Sequence, residues 1–240
     1  EEFLDGEELS YFVISDEKNY LQIGTAQDHK KIGENDTGPN TGGMGAYSPS
    51  YLLNEELENK ILNKIIKPTL NGMKELGCSY KGILYAGLMI KNNEPKLIEY
   101  NIRFGDPECQ VLMMRLKNDL IDIIMHTLNN KLSDIKISWS RDPAITIVAA
   151  NKGYPGKYNK KKEIKNLNEI PQNQNEQLFH AGTSKNENGK IIASGGRVLN
   201  ATVKAKDLKL ARKKAIDILD KVKWEDKYFR KDIGYKAIDK

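Results

Sequence analysis

Apolar positions along the chain fall into two periodicities. Lys81–Ile90 (KGILYAGLMI) and Leu97–Asn101 (LIEYN) are short apolar runs rich in strand formers. The polar segment Lys91–Lys96 (KNNEPK) separates them, a pattern that predicts a hairpin. Alternation along the second run puts Leu97, Glu99 and Asn101 on one face and Ile98 and Tyr100 on the other. Leu9–Ser15, Tyr20–Ala26 and Ala144–Ala150 read as further strands, and Ile191–Val203 alternates around Gly195-Gly196-Arg197. Glu1–Leu4 reads as a strand as well, turning at Gly6. Helical spacing appears in Asn54–Leu76, with Asn54 as N-cap, Gly77 as C-cap and Pro68 placed to kink or break the helix. Glu108–Leu116, Asp119–Leu128 and Leu208–Val222 are the other predicted helices. Asp134–Pro143 is polar and reads as a linker, which divides the chain into regions 1–135 and 142–240.

Composition narrows the class. With 240 residues, 39% hydrophobic and 30% charged, the chain can bury a real core as one or two domains. No apolar run approaches the length of a membrane span, and the acidic opening is unlike a signal peptide. Cys78 and Cys109 form neither a disulfide framework nor a zinc pattern, so a cytoplasmic location is expected. The net charge of +5 comes from scattered lysines, denser at Lys157–Lys165 and Lys204–Lys214. Tyr158 is the one aromatic residue within these two runs, too little interleaving for base stacking, so a solvated surface is favoured over a nucleic-acid patch.

Two stretches carry candidate chemistry. Glu99 and Asn101 set a carboxylate and an amide oxygen side by side at the end of an otherwise apolar strand. Burying an unpaired carboxylate costs roughly several kcal/mol. Either Glu99 pairs with Arg103 or a nearby Lys while Asn101 caps a turn, or the two hold a hard cation such as Mg²⁺. The residue types leave both open. The second stretch, Gly33–Pro49 (GENDTGPNTGGMGAYSP), is a glycine-rich loop whose amides could form an anion nest, with Lys30 and Lys31 just before it. A plain surface loop is the alternative, and no Walker A pattern is present.

Arg103–Gln110 (RFGDPECQ) is similar to the signature octapeptide of the phosphoribosylamine–glycine ligase family of ATP-grasp enzymes. EEFLDGEELS, QDHK, DTGPNTGGMGAYSP, GYPGKY, FHAGT, GGRVL and RKDIG extend the resemblance along essentially the whole chain. The resemblance implies an α+β fold: the later part of an ATP-grasp fold in 1–135, then a small β-rich barrel or sandwich in 142–240. Members of the family are longer at the N-terminus, so the chain is expected to be the later part of a larger enzyme. Part of the nucleotide and ribosylamine sites is then expected upstream.

By the same resemblance, Glu1, Glu2, Phe3 and Leu4 read the adenine edge, Glu8 accepts from the ribose hydroxyls, and Lys31 and Asn40 line the ATP site. Glu99 and Asn101 hold Mg²⁺ or Mn²⁺. Arg103 and Asp106 are the catalytic candidates; Asp28 and Glu108 are the candidates for gripping glycine or the ribosylamine. Many ATP-grasp enzymes carry a further acid on the strand before the Glu/Asn strand; Ile83–Ile90 has none, which leaves the number of metals open. The reaction implied joins glycine to 5-phosphoribosylamine at the expense of ATP, through glycyl phosphate. The expected partners are these small molecules, with neither nucleic acid nor membrane, in a monomer or homodimer. The alternatives are another ATP-grasp carboxylate–amine ligase, or a basic non-catalytic binding module.

Overall fold

The computed structural model describes residues 2–170 and 172–238. In chain order the main elements begin with β1 (Glu7–Asp16), β2 (Tyr20–Asp28), β3 (Lys31–Gly33), β4 (Thr37–Asn40) and β5 (Gly45–Ser48). There follow α1 (Glu55–Ile61), a π-helical stretch (Leu62–Ile66), α2 (Lys67–Glu75), β6 (Lys81–Lys91), β7 (Glu94–Asn101), α3 (Glu108–Arg115) and α4 (Leu120–Leu128). The rest of the chain forms β8 (Ala144–Asn151), β9 (Lys162–Glu163), β10 (Glu176–His180), β11 (Thr183–Lys185), β12 (Ile191–Ala193), β13 (Arg197–Lys204), α5 (Leu208–Lys221), β14 (Lys227–Tyr228) and α6 (Tyr235–Ile238). These elements divide into two compact units: residues 1–27, 49–105 and 116–140, and residues 28–48, 106–115 and 141–240. Among the described residues no helix is long and apolar enough to cross a membrane.

In the first unit β1 pairs antiparallel with β2 on one side and β6 on the other, and β6 pairs with β7. The β6–β7 connection is tighter than the sequence suggests. Asn92 and Asn93, at φ +52° and +60°, make a two-residue turn of the kind that matches strand twist. One face of the sheet is apolar. Leu9, Tyr11 and Val13 of β1 and Leu84, Ala86, Leu88 and Ile90 of β6 pack against Leu57, Ile61, Ile65 and Ile66 of the helical rod. The other face presents Glu8, Ser10 and Phe12 beside their partners Met89, Gly87 and Tyr85.

The rod itself refines the prediction. Asn54 Oδ1 accepts from the Leu57 N–H at 2.8 Å, as an N-cap should. Gly77, at φ +74°, closes the C-terminus: its N–H reaches Lys74 O and the Cys78 N–H reaches Met73 O, the Schellman pairing. Pro68 neither breaks the helix nor stops it. The turn before it widens instead, with the Lys67 N–H donating to Leu62 O five residues back, which accommodates a residue that has no N–H of its own.

The second unit contains a sheet in which β8 pairs with β13 on one side and with β5 and β14 on the other, while β13 pairs with β10. Every residue of β8 is buried, as the unbroken apolar run Ala144–Ala150 predicts. Both α3 and α5 pack on this sheet. β11, β12 and β9 form a separate three-stranded sheet, and β3 with β4 a small hairpin.

This arrangement corrects the expected barrel. A barrel requires its first and last strands to pair. The β8 sheet ends at β10, whose strand pairing is with β13, and the β11–β12–β9 sheet is open too, so no sheet among the described residues closes. The α+β class stands; a barrel in the C-terminal region does not. Two smaller differences are local. Residues Glu2–Asp5 form no strand, and the first strand starts at Glu7. The glycine-rich segment is not all loop, because β4 and β5 lie inside it.

Candidate functional site

The first unit carries one group of the predicted residues. Glu2, Phe3, Leu4 and Glu8 line a pocket of about 670 Å³ together with Met89, Lys96, Leu97 and Ile98. Glu1 lies outside the described residues. Phe3 is 90% exposed, so its ring is available to a planar ligand rather than committed to the core. Lys96 Nζ holds both Glu2 carboxylate oxygens, at 2.7 and 2.9 Å. Glu8 enters the pocket because β1 alternates: it sits opposite Met89, while its neighbour Leu9 faces the core. Met89, Lys96, Leu97 and Ile98 were not foreseen as lining residues. Their approach depends on the register of three strands, which the local sequence does not encode.

Glu99 and Asn101 lie on the same face of that sheet as Glu8. Glu99 is opposite Gly87 and Asn101 opposite Tyr85. The β6–β7 register shifts between Gly87 and Leu88, where Ile98 is the extra residue, so the expected alternation from Leu97 onward holds only for Glu99 and Asn101. Asn101 Nδ2 donates to Glu99 Oε1 at 3.1 Å. That contact fixes the amide orientation and leaves the other Glu99 oxygen and the Asn101 carbonyl oxygen uncommitted. The ion pair between Glu99 and Arg103 does not form; Arg103 Nη1 instead donates to Phe104 O at 2.8 Å. Among the described residues Glu99 has no cationic partner. No group of three or more His, Cys, Asp or Glu is gathered anywhere among them, so a cation here would take two protein oxygens and complete its shell from water and ligand, as Mg²⁺ commonly does.

The second unit holds the other group. Arg197, in the Gly195-Gly196-Arg197 segment, ties the glycine loop to the signature turn. Its Nη1 donates to Gly42 O at 2.6 Å and to Asp106 O at 3.0 Å, and its Nη2 donates to Asp106 Oδ2 at 2.8 Å. Tyr154, from the Gly-Tyr-Pro-Gly turn, accepts from the Gly42 N–H at 3.0 Å through its hydroxyl. Gly43, at φ +106°, is squeezed between Pro107 and Asp28. A Cβ there would lie 2.4 Å from Pro107 Cδ and 2.6 Å from Asp28 Oδ1. Asp28 and Asp106, far apart in sequence, therefore flank the same glycine pair. Glu108 is buried at the start of α3.

Lys31 and Asn40 face each other across the β3–β4 hairpin. The C-terminal segment holds this hairpin through Arg230, whose side chain is fully buried. Arg230 binds Asp232 with two parallel bonds of 2.8 Å, Asp36 at 3.0 Å and the Lys31 carbonyl at 2.9 Å. Burial disfavours the charged form of all three groups. The ion pairs and hydrogen bonds outweigh it, so both carboxyls titrate below their ordinary range and the guanidinium above its own. His29 is buried beside them, and its Nε2 accepts from the Gly234 N–H at 3.1 Å. Burial first, and then the nearby Arg230 charge, lower its pKa to about 4, so its ring is neutral near pH 7. Sequence reasoning missed Arg230, because a run of charged residues such as Arg230-Lys231-Asp232 ordinarily reads as a solvated surface.

Comparison with known proteins bears on what these groups serve. The family profile described as "Phosphoribosylglycinamide synthetase, ATP-grasp (A) domain" matches residues 1–109, and its "C domain" counterpart matches residues 144–236. A phosphoribosylamine–glycine ligase of Vigna unguiculata is 48% identical over 227 residues, covering 93% of this chain and 73% of that protein. The chain belongs to the phosphoribosylamine–glycine ligase family. A chloroplastic phosphoribosylamine–glycine ligase of Arabidopsis thaliana is 49% identical over 241 residues, covering 99% of this chain and 45% of that protein. The crystal structure of the phosphoribosylamine–glycine ligase of Thermotoga maritima superposes with a TM-score of 0.86 at 33% identity, over 97% of this chain and 57% of that one. The chain thus spans about half the length of the Arabidopsis thaliana and Thermotoga maritima proteins that it matches.

Proposed function

We propose that this chain takes part in joining glycine to 5-phosphoribosylamine with ATP, giving glycinamide ribonucleotide, ADP and phosphate. The observation that carries the reading is 49% identity, over 99% of the chain, to a protein named for that ligation. The chemistry accounts for the residue types. A carboxylate is a poor acyl donor because oxide is its leaving group. Transfer of the terminal phosphoryl group of ATP to a glycine oxygen converts it to glycyl phosphate. The ribosylamine nitrogen then attacks the carbonyl carbon, the C–O bond to phosphate breaks, and the nitrogen gives up a proton. No covalent enzyme intermediate is required; positioning and neutralisation of charge are the protein's share.

In this reading the pocket lined by Glu2, Phe3, Leu4 and Glu8 receives the adenosine. The Glu8 carboxylate, an acceptor only, suits a vicinal diol. The oxygens of Glu99 and Asn101 fit a hard cation, Mg²⁺ or Mn²⁺, which when bound would neutralise charge on the ATP phosphates. Arg103 is the candidate for the transferring phosphoryl group, and Lys31 and Asn40 for contacts to ATP. Asp106, held by Arg197, together with Asp28 and Glu108, is assigned to the glycine ammonium or the ribosylamine hydroxyls.

The test is phosphate release by the full-length protein with ATP, Mg²⁺, glycine and freshly generated phosphoribosylamine, for wild type and Glu99→Gln. Release that needs all three substrates and falls on the order of 100-fold in the variant is expected. Release unchanged by Glu99→Gln refutes the metal assignment. Release that occurs without glycine refutes the reaction.

A further inference from the structure

The β3–β4 hairpin is fastened almost entirely through its backbone and its acidic tip. Arg230 holds the Lys31 carbonyl and the Asp36 carboxylate, and the Tyr228 hydroxyl holds the Ile32 carbonyl at 2.9 Å. Asp232 Oδ2 accepts from the Asn35 N–H at 2.7 Å, and Glu34 Oε1 accepts from the Lys231 N–H at 3.0 Å. Asp36 is further held by Lys236 at 3.2 Å and the Tyr235 hydroxyl at 3.2 Å. By contrast, the Lys31 ammonium and the Asn40 amide make no hydrogen bond or ion pair among the described residues. The main chain and the acidic tip of the hairpin are over-determined, while the Lys31 and Asn40 side chains at its open end are unspent. A fully buried guanidinium is a costly device, because its desolvation must be offset by its partners. A surface hairpin of short strands does not need one for solubility or for closure of its turn. The bidentate grip on Asp232 also fixes the direction in which the remaining Nη1 donors point at Lys31 O and Asp36.

We propose that Arg230 is a positioning residue for nucleotide binding: it sets the backbone of the β3–β4 hairpin so that Lys31 and Asn40 are presented to ATP in one arrangement. The inference rests on the assignment of Lys31 and Asn40 to ATP. Arg230 itself touches no substrate. Its contribution reaches the nucleotide through Lys31, whose own carbonyl it binds.

A double-mutant cycle on the full-length protein tests this, with affinity for the Mg²⁺ complex of a non-hydrolysable ATP analogue as the readout. Arg230→Lys keeps the charge but cannot reproduce the four donor contacts, and is expected to weaken binding ~10- to 100-fold. In a background of Lys31→Ala with Asn40→Ala, the same substitution is expected to have almost no further effect. In a Glu8→Gln background its full effect should persist, because Glu8 lies on a different unit. A merely structural role would lower the melting temperature in every background without this selective non-additivity. Tyr228→Phe, which removes one neutral tether of the same hairpin, supplies a milder variant should Arg230→Lys fold poorly, and should show the same pattern at smaller size. Unchanged affinity in Arg230→Lys or Tyr228→Phe, with weakened affinity in Lys31→Ala plus Asn40→Ala, overturns the positioning role and leaves the nucleotide site intact. A loss that adds fully in that background also overturns it. No loss from Lys31→Ala plus Asn40→Ala removes the ATP assignment of the hairpin, and the positioning role with it.

Discussion

His29 makes the stability of the second unit depend on pH in a window set by its burial. Its ordinary pKa of 6.5 falls to about 4 in the folded chain. Between those values the unfolded chain binds a proton that the folded chain refuses, so stability falls as pH falls. The contribution is intact above about pH 6.5 and is lost progressively down to about pH 4. At about 1.36 kcal/mol per pH unit, the gap amounts to roughly 3 kcal/mol. The groups around the ring explain the sign. Burial is the largest cause, the Arg230 and Lys236 charges add to it, and Asp36 and Asp232 oppose it only in part. Both carboxyls titrate below their ordinary range, so their own contributions vanish at lower pH and do not blur the window. Trp224 is buried in the same unit, with Nε1 donating to Asn151 Oδ1 at 2.9 Å. The chain's other tryptophan, Trp139, belongs to the first unit. Urea unfolding followed by Trp224 fluorescence in a Trp139→Phe background, from pH 8 to pH 4, measures the effect. His29→Gln retains an acceptor for the Gly234 N–H and does not titrate, so its stability should be nearly flat over that range. An equally steep decline in His29→Gln, or a flat profile in its parent, would refute the reasoning.

Two local predictions follow from single contacts. Asn54→Ala removes the acceptor for the Leu57 N–H and should cost the first unit about 1 kcal/mol, read as a lowered urea midpoint by Trp139 fluorescence; no change would mean that solvent caps the helix equally well. Gly43→Ala places a methyl group against Pro107 and Asp28 at a φ of +106°. It should cost at least about 2 kcal/mol in the second unit, visible as a lowered Trp224 unfolding midpoint, and should abolish phosphate release even at temperatures where the chain remains folded.

What the sequence determined by itself is the local part. The short apolar run Ala144–Ala150, with its β-branched Ile145, Thr146, Ile147 and Val148, reads as a buried strand. The spacing of Leu57, Ile61, Ile65 and Ile66 required a helix, and Asn54 and Gly77 carried its caps, because capping is chemistry between residues three to five apart. The pairing of Glu99 with Asn101 on one face was legible for the same reason, since two residues apart on a strand is a local relation. Asp28, Asp106 and the glycine-rich loop Gly33–Pro49 were named as separate candidates, but nothing local says that they meet; Arg197 and Tyr154 bring Asp106 and the loop's Gly42 together from more than 40 residues farther along. The open edge at β10 was likewise invisible, because alternation fixes which side of a strand is apolar and not which strand it pairs with. Arg230 is the clearest case. Lys231 and Asp232 follow it and suggest solvent, and only the return of the chain onto Asp36 and the Lys31 carbonyl gives a buried guanidinium the partners that make its burial tolerable.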